Sequence, residues 1–233
     1  MAIDALSGPV LPPVKGTTPD AAVVILHGYG ANGDDLIGLA PYFANILPGA
    51  IFYAPNAPQP WEGGGYGGRQ WFGLPGYDPM AMQRDPNLRS ERFKAMTAGA
   101  AAAAVPLNKF IDQVSEHHKL DPSRIALLGF SQGTMMALYV GLRRPKQLGA
   151  ILGYSGALVG ADRIKDEIVT KPHVCLVHGA DDPVVPVLCV ADIENGLAPL
   201  GVAIEKHIIP GLQHGIDAKG AEIGAAFLKT HIG

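Results

Sequence analysis

Six short runs rich in valine, isoleucine and leucine, at 21–26, 50–54, 125–130, 150–154, 174–177 and 202–209, recur between longer segments of helical periodicity. Runs of that length, apolar at successive positions, suit strands buried on both faces of a sheet. Their alternation with helices requires crossover connections, so the chain is expected to be α/β, with a mostly parallel central sheet and helices on both faces. The clearest helices are expected at 34–47, 98–117 with a bend near Pro106, 132–143, 187–197 and 217–231, the last with Ile223, Phe227 and Leu228 on one apolar stripe. Hydrophobic residues at 48% against 17% charged fill such a two-faced core, and 233 residues fit one α/β domain spanning 1–233. No internal repeat is present.

Several partner classes are disfavoured. The net charge of -3, with lysine and arginine scattered, leaves no basic stripe for phosphates, so nucleic acid is not an expected partner. Two cysteines, Cys175 in an apolar run and Cys189 in an expected helix, are too few for a disulfide framework. The first nine residues have neither a basic region nor an apolar run of signal-peptide type, and a cytoplasmic location is expected. The alanine-rich stretch 98–105 is too short for a bilayer, so no stable membrane insertion is expected.

One segment, 56–92, breaks the rhythm with five prolines, the glycines of 63–65 and 67–68, and the aromatics Trp61, Tyr66, Trp71, Phe72 and Tyr77. A connection of this length is either disordered or functional, and its aromatic content favours a lid or substrate loop. Trp71, Phe72 and Leu74 are expected to wall a substrate chain, the alternative being that they anchor the loop to the core.

The strongest local signal is Gly129-Phe130-Ser131-Gln132-Gly133, a G-x-S-x-G directly after one expected strand and directly before a helix. A sharp strand-to-helix turn lifts a serine hydroxyl clear of the sheet, which makes Ser131 the candidate nucleophile. Such a hydroxyl needs a histidine to take its proton and an acid to hold that histidine. Past the strand at 174–177 stand Asp181 and Asp182, either of which could serve, since both lie beyond a strand's carboxyl end. Past the last strand stands His214, which among eight histidines alone has the right chain order and loop setting.

The segment His27-Gly28-Tyr29-Gly30-Ala31-Asn32-Gly33 contains a literal G-x-G-x-x-G. As a dinucleotide fingerprint it lacks the acid expected at the end of the next strand, which leaves a nucleotide-binding oxidoreductase a distant alternative. Its exposed backbone amides suit an oxyanion instead, and the donors would be the N–H groups of Tyr29 and Gln132. There is no H-E-x-x-H, no zinc spacing and no P-loop, so neither metal nor cofactor is expected.

With these residues in hand, the chain resembles the phospholipase/carboxylesterase family of α/β-hydrolases, which includes bacterial carboxylesterases and acyl-protein thioesterases. The resemblance runs from Val23-Val24-Ile25-Leu26-His27-Gly28 through G-F-S-Q-G and His178-Gly179-Ala180-Asp181-Asp182-Pro183 to Gly211-Leu212-Gln213-His214. It implies an α/β-hydrolase fold, a triad of Ser131, Asp182 and His214, with Asp182 selected by the H-G-x-x-D-x-x-V-P spacing, and an oxyanion hole at Tyr29 and Gln132. It implies a serine carboxylesterase acting on short- to medium-chain carboxylic esters through an acyl-enzyme, with a small ester as the partner. Thioester or lysophospholipid hydrolysis on the same triad is the alternative. Family members commonly carry a Trp-aromatic-Asp element where this chain reads Trp71-Phe72-Gly73. Apolar loop residues are compatible with a homodimer.

Overall fold

The computed structural model describes residues 2–64 and 67–233, so Tyr66 and Gly65 of the expected loop lie outside the described residues. Among the described residues, nine strands occur in chain order: β1 (Val10–Leu11), β2 (Ala21–Leu26), β3 (Ala50–Tyr53), β4 (Gln59–Pro60), β5 (Arg69–Gln70), β6 (Ile125–Phe130), β7 (Ala150–Tyr154), β8 (His173–Gly179) and β9 (Ile204–Ile209). Seven form the central sheet in the order β1-β3-β2-β6-β7-β8-β9, while β4 and β5 pair as a small hairpin. In that sheet β1 runs antiparallel to β3, and the other neighbouring pairs are parallel. All six expected strands are present; β2, β6 and β7 have the expected bounds, and the ends of β3, β8 and β9 are shifted by one or two residues.

The helices are α1 (Gly33–Ile37), α2 (Ala40–Ala44), α3 (Pro79–Arg84), α4 (Pro86–Ala95), α5 (Thr97–His118), α6 (Gln132–Gly141), α7 (Ile164–Glu167), α8 (Leu188–Leu197) and α9 (Ala218–Ile232). Two apolar cores flank the sheet. On β2, Ala22, Val24 and Leu26 face one core with α5 and α6, and Ala21, Val23 and Ile25 face the other with α2 and α9. This two-residue alternation with both sides buried explains why β2, β3, β6, β7 and β8 read as continuous apolar runs, whereas β9, at the sheet edge, is not buried on both faces as expected and carries Glu205, Lys206 and His207.

Two expectations are corrected. The single helix at 34–47 is split into α1 and α2, because Pro41 in the first turn of α2 lacks an N–H and would clash with the preceding turn. The segment 56–92 is not a structureless loop but carries β4, β5, α3 and most of α4. Both of its helices start at Asp-Pro pairs, where the Asp78 and Asp85 carboxylates accept from backbone N–H groups and proline occupies the first turn. Arg89 of α4 then pairs with Asp192 of α8 at 2.7 Å, docking the segment on the domain body. Among the described residues, no helix is long and apolar enough to cross a membrane.

The sheet order sets the site. From β2 the chain steps outward to β3, then crosses back to place β6 on the other side of β2. The loops leaving β2 and β6 therefore diverge at a switch point, where an open crevice forms at the strands' carboxyl ends.

Candidate active site

Ser131 occupies the turn between β6 and α6 with φ 55° and ψ -117°, a backbone conformation a side-chain-bearing residue adopts only under constraint. The constraint is visible on both sides. Ser131 N–H donates to Tyr154 O at 2.9 Å, and the Thr134 hydroxyl lies 2.8 Å from both Gly129 O and Tyr154 O. Gly133 is required because a Cβ there would collide with the Leu26 carbonyl, so only glycine lets α6 pack this closely on β2.

Asp182 and His214 come from neighbouring loops that are laced together beyond β8 and β9. Ala180 N–H donates to Ile209 O at 2.9 Å and Asp181 N–H to Leu212 O at 3.0 Å, and a Cβ at Gly179 would strike the carbonyls of Leu212 and Gln213. The result is a 2.8 Å hydrogen bond between His214 Nδ1 and Asp182 Oδ2. A carboxylate only accepts, so Nδ1 carries the proton and Nε2 is the basic nitrogen of the neutral ring. Asp182 Oδ1 accepts from the N–H groups of Val184 and Val185, both at 2.8 Å. Burial of its carboxyl opposes ionisation, but the contacts from His178, His214 and the Val185 N–H outweigh it and hold the group far below the usual carboxylate range. His178 Nε2 lies 2.9 Å from Val185 O and 3.4 Å from Asp182 Oδ2, which fixes the loop around the acid. Asp181, one residue earlier, is exposed.

Ser131 and His214 line one cleft of about 440 Å³, together with Gly28, Tyr29 and Gln132. The Phe130 ring lies 4.8 Å from the His214 ring, centroid to centroid. In the turn after β2, Gly30 N–H donates to Arg69 O at 2.9 Å and Ala31 N–H to Gly28 O at 3.3 Å. The Gln132 N–H belongs to the first turn of α6, where backbone donors have no partner within the helix. The ring of His27 is wholly buried, with Nδ1 2.8 Å from Gly28 O and Nε2 accepting from Ala57 N–H at 2.9 Å. Burial lowers its pKa and keeps it neutral, so it serves as a fixed strut beneath the turn.

The three expected wall residues separate. Trp71 and Phe72 are 0% and 1% exposed and do not line the cleft. Trp71 Nε1 donates to His27 O at 3.0 Å, and both residues pack within the core on the α5 side, so the anchoring alternative replaces the wall for them. Leu74 does line the cleft. The rest of its apolar wall is Tyr77, which the sequence marks only as one of the aromatics of 56–92, and Met135, Val184 and Val185, which it does not mark. Val185 could have been singled out, since it is the valine of the H-G-x-x-D-x-x-V-P pattern, three residues after the acid, with Val184 beside it. The Tyr77 hydroxyl donates to Val184 O at 2.7 Å. Among the described residues one group of metal-ligating side chains, Cys175, Glu205 and His207, has ligand atoms within 4.8 Å of one another, and it shares no residue with the cleft.

The phospholipase/carboxylesterase family profile matches residues 14–232. An acyl-protein thioesterase 1 of Emericella nidulans is 30% identical over 185 residues, covering 76% of this chain and 74% of that protein. Esterase YpfH of Escherichia coli is 24% identical over 213 residues, covering 90% and 82%. The crystal structure of esterase PE8 superposes with a TM-score of 0.87 at 39% identity, covering 97% of this chain and 99% of that one. With the seven-stranded sheet and the strained serine turn described above, these likenesses establish that the chain belongs to the phospholipase/carboxylesterase family, carboxylic ester hydrolases of the α/β-hydrolase fold.

Proposed function

We propose that the chain hydrolyses short- to medium-chain carboxylic esters through an acyl-enzyme on Ser131. His214 Nε2 takes the Ser131 proton as Oγ attacks the ester carbonyl carbon. The carbonyl electron pair moves onto oxygen, where the N–H groups of Tyr29 and Gln132 receive the negative charge. On collapse the bond to the alcohol oxygen breaks, and His214 delivers its proton to that oxygen. Water then repeats the sequence on the acyl-enzyme, with His214 as base, and releases the acid. Asp182 holds the imidazole in the Nδ1–H tautomer and stabilises the transient imidazolium.

The observation that carries this reading is the Asp182–His214 pair, at 2.8 Å, opening with Ser131 onto one apolar-walled cleft. The cleft's volume of about 440 Å³ is in the range of small-ligand sites and supports short to medium acyl chains. Thioester hydrolysis is the second reading, favoured by the likeness to an acyl-protein thioesterase. The test is a panel of p-nitrophenyl esters and matched acyl thioesters of increasing chain length, with mass spectrometry of a fluorophosphonate adduct. Ester turnover with the adduct on Ser131 is expected. An adduct elsewhere, or turnover confined to thioesters, would overturn the primary reading.

A further inference from the structure

A second groove, of about 240 Å³, adjoins the cleft and is lined by Asp35, Leu36, Gly38, Leu39, Phe130 and Ile216. It shares Asp35 and Phe130 with the cleft that contains Ser131. Nothing in the acyl-transfer reading so far uses it.

Chemistry decides which half of an ester each space can take. His214 must hand its proton to the departing oxygen, so the alcohol leaves on the histidine's side of the carbonyl. The groove lies on that side: Phe130 packs against the His214 ring at 4.8 Å, and Ile216 stands two residues beyond His214. The larger cleft, walled by Leu74, Tyr77, Met135, Val184 and Val185, is left for the acyl chain.

Charge then narrows the alcohol. Among the described residues, the one acidic side chain lining either space is Asp35, on α1, and no lysine or arginine lines them. An anionic leaving group in the groove would meet the Asp35 carboxylate, with no lysine or arginine lining it. An apolar alcohol would meet Leu36, Leu39, Phe130 and Ile216, and a positive charge on it would meet Asp35.

We propose that this groove is the leaving-group subsite, built for apolar alcohols that are uncharged or cationic and acting against anionic leaving groups such as coenzyme A. The proposal rests on the acyl-transfer reading and deepens it. It places Asp35 as a specificity residue that contacts the substrate's alcohol half rather than its reacting atoms.

The test keeps the acyl group constant and varies the leaving group: butyrylcholine, its uncharged isostere 3,3-dimethylbutyl butyrate, and butyryl-CoA, at low and high salt. Choline and its isostere differ in intrinsic leaving ability, so the readout is how the ratio of kcat/KM values changes between enzymes. In Asp35→Asn the choline-to-isostere ratio should fall about threefold to tenfold at low salt, and the CoA-to-isostere ratio should rise by a similar factor, both changes shrinking at high salt. Asp35→Glu should retain the wild-type ratios. Filling the groove with Ile216→Trp should lower kcat/KM for octyl butyrate relative to ethyl butyrate. Ester turnover whose ratios are unmoved by these changes would overturn the leaving-group subsite alone. Absence of turnover on every butyrate ester by folded wild-type protein would overturn the hydrolase reading itself.

Discussion

The Gln132 side chain ties the serine turn to Trp71: its Oε1 accepts from Trp71 N–H at 2.9 Å, while its Nε2 donates to Phe72 O at 2.7 Å. The residue that follows the nucleophile thus acts twice. Its backbone N–H faces the developing oxyanion in the proposed reaction, and its amide holds the segment leading from β5 to the cleft wall. This accounts for glutamine in G-F-S-Q-G, since no apolar side chain could satisfy a buried N–H and a buried carbonyl together. Gln132→Ala leaves both unpaired and is expected to cost roughly 2 kcal/mol or more of stability, read as a fall in thermal midpoint, with kcat/KM for esters falling as the wall loosens. An unchanged midpoint would show that the clamp contributes nothing.

Trp71 is a second test of the same region. Removing a fully buried indole should cost about 3–5 kcal/mol, or on the order of 10 °C in thermal midpoint, while the surviving activity keeps the wild-type ranking of acyl chains. Leu74→Ala and Tyr77→Ala should do the opposite. Both side chains line the cleft, so the preferred acyl length should shift, each lost methylene contact being worth up to ~0.8 kcal/mol in kcat/KM. A chain-length profile for the three variants separates anchor from wall, and a shifted profile for Trp71→Ala alone would reverse the assignment.

Ser131→Ala should lower ester hydrolysis by roughly 10⁴-fold or more and abolish fluorophosphonate labelling. Asp182→Asn should lose on the order of 10⁴ in kcat, because an amide donor facing Nδ1 turns the ring to the wrong tautomer. Asp181→Asn, at an exposed position whose side chain has no place in the cleft, should be mild. Steady-state kinetics on one ester decides this, and a severe Asp181 defect beside a mild Asp182 one would transfer the role.

Acid should destabilise the protein through His27. Burial lowers the pKa of this ring in the fold, whereas in the unfolded chain it titrates near ~6.5, so below that pH the unfolded state binds the extra proton. The stability His27 contributes is therefore complete above ~6.5 and is lost as the pH falls below it. The thermal midpoint of the wild type should drop more steeply between pH 7 and 5 than that of His27→Gln, in which an amide oxygen still accepts from Ala57 N–H. Parallel midpoint curves would show that His27 is not the group that titrates.

Much of the chemistry could be read along the chain because it rests on local rules. Ser131 and its flanking glycines announce a backbone turn that few other residues tolerate, and the buried strands announce themselves by unbroken apolar runs. That Ser131, Asp182 and His214 each follow a strand could be read because the carboxyl ends of parallel strands share one edge of the sheet, while their order along the chain is the one the α/β-hydrolase fold uses. Even α3 and α4 carried a legible signal in their Asp-Pro starts, obscured by the glycines and prolines around them. The tertiary structure decided which aromatic and apolar side chains of 69–77 face substrate. Trp71 and Phe72 turn inward and Leu74 and Tyr77 border the cleft, although all four lie within one irregular stretch. It also decided that Asp35, on a helix far from Ser131 in the chain, overlooks the groove beside Phe130 and Ile216. An irregular segment has no repeating period to assign inward and outward faces, and a cleft assembled from distant loops exists only after the sheet has brought their ends together.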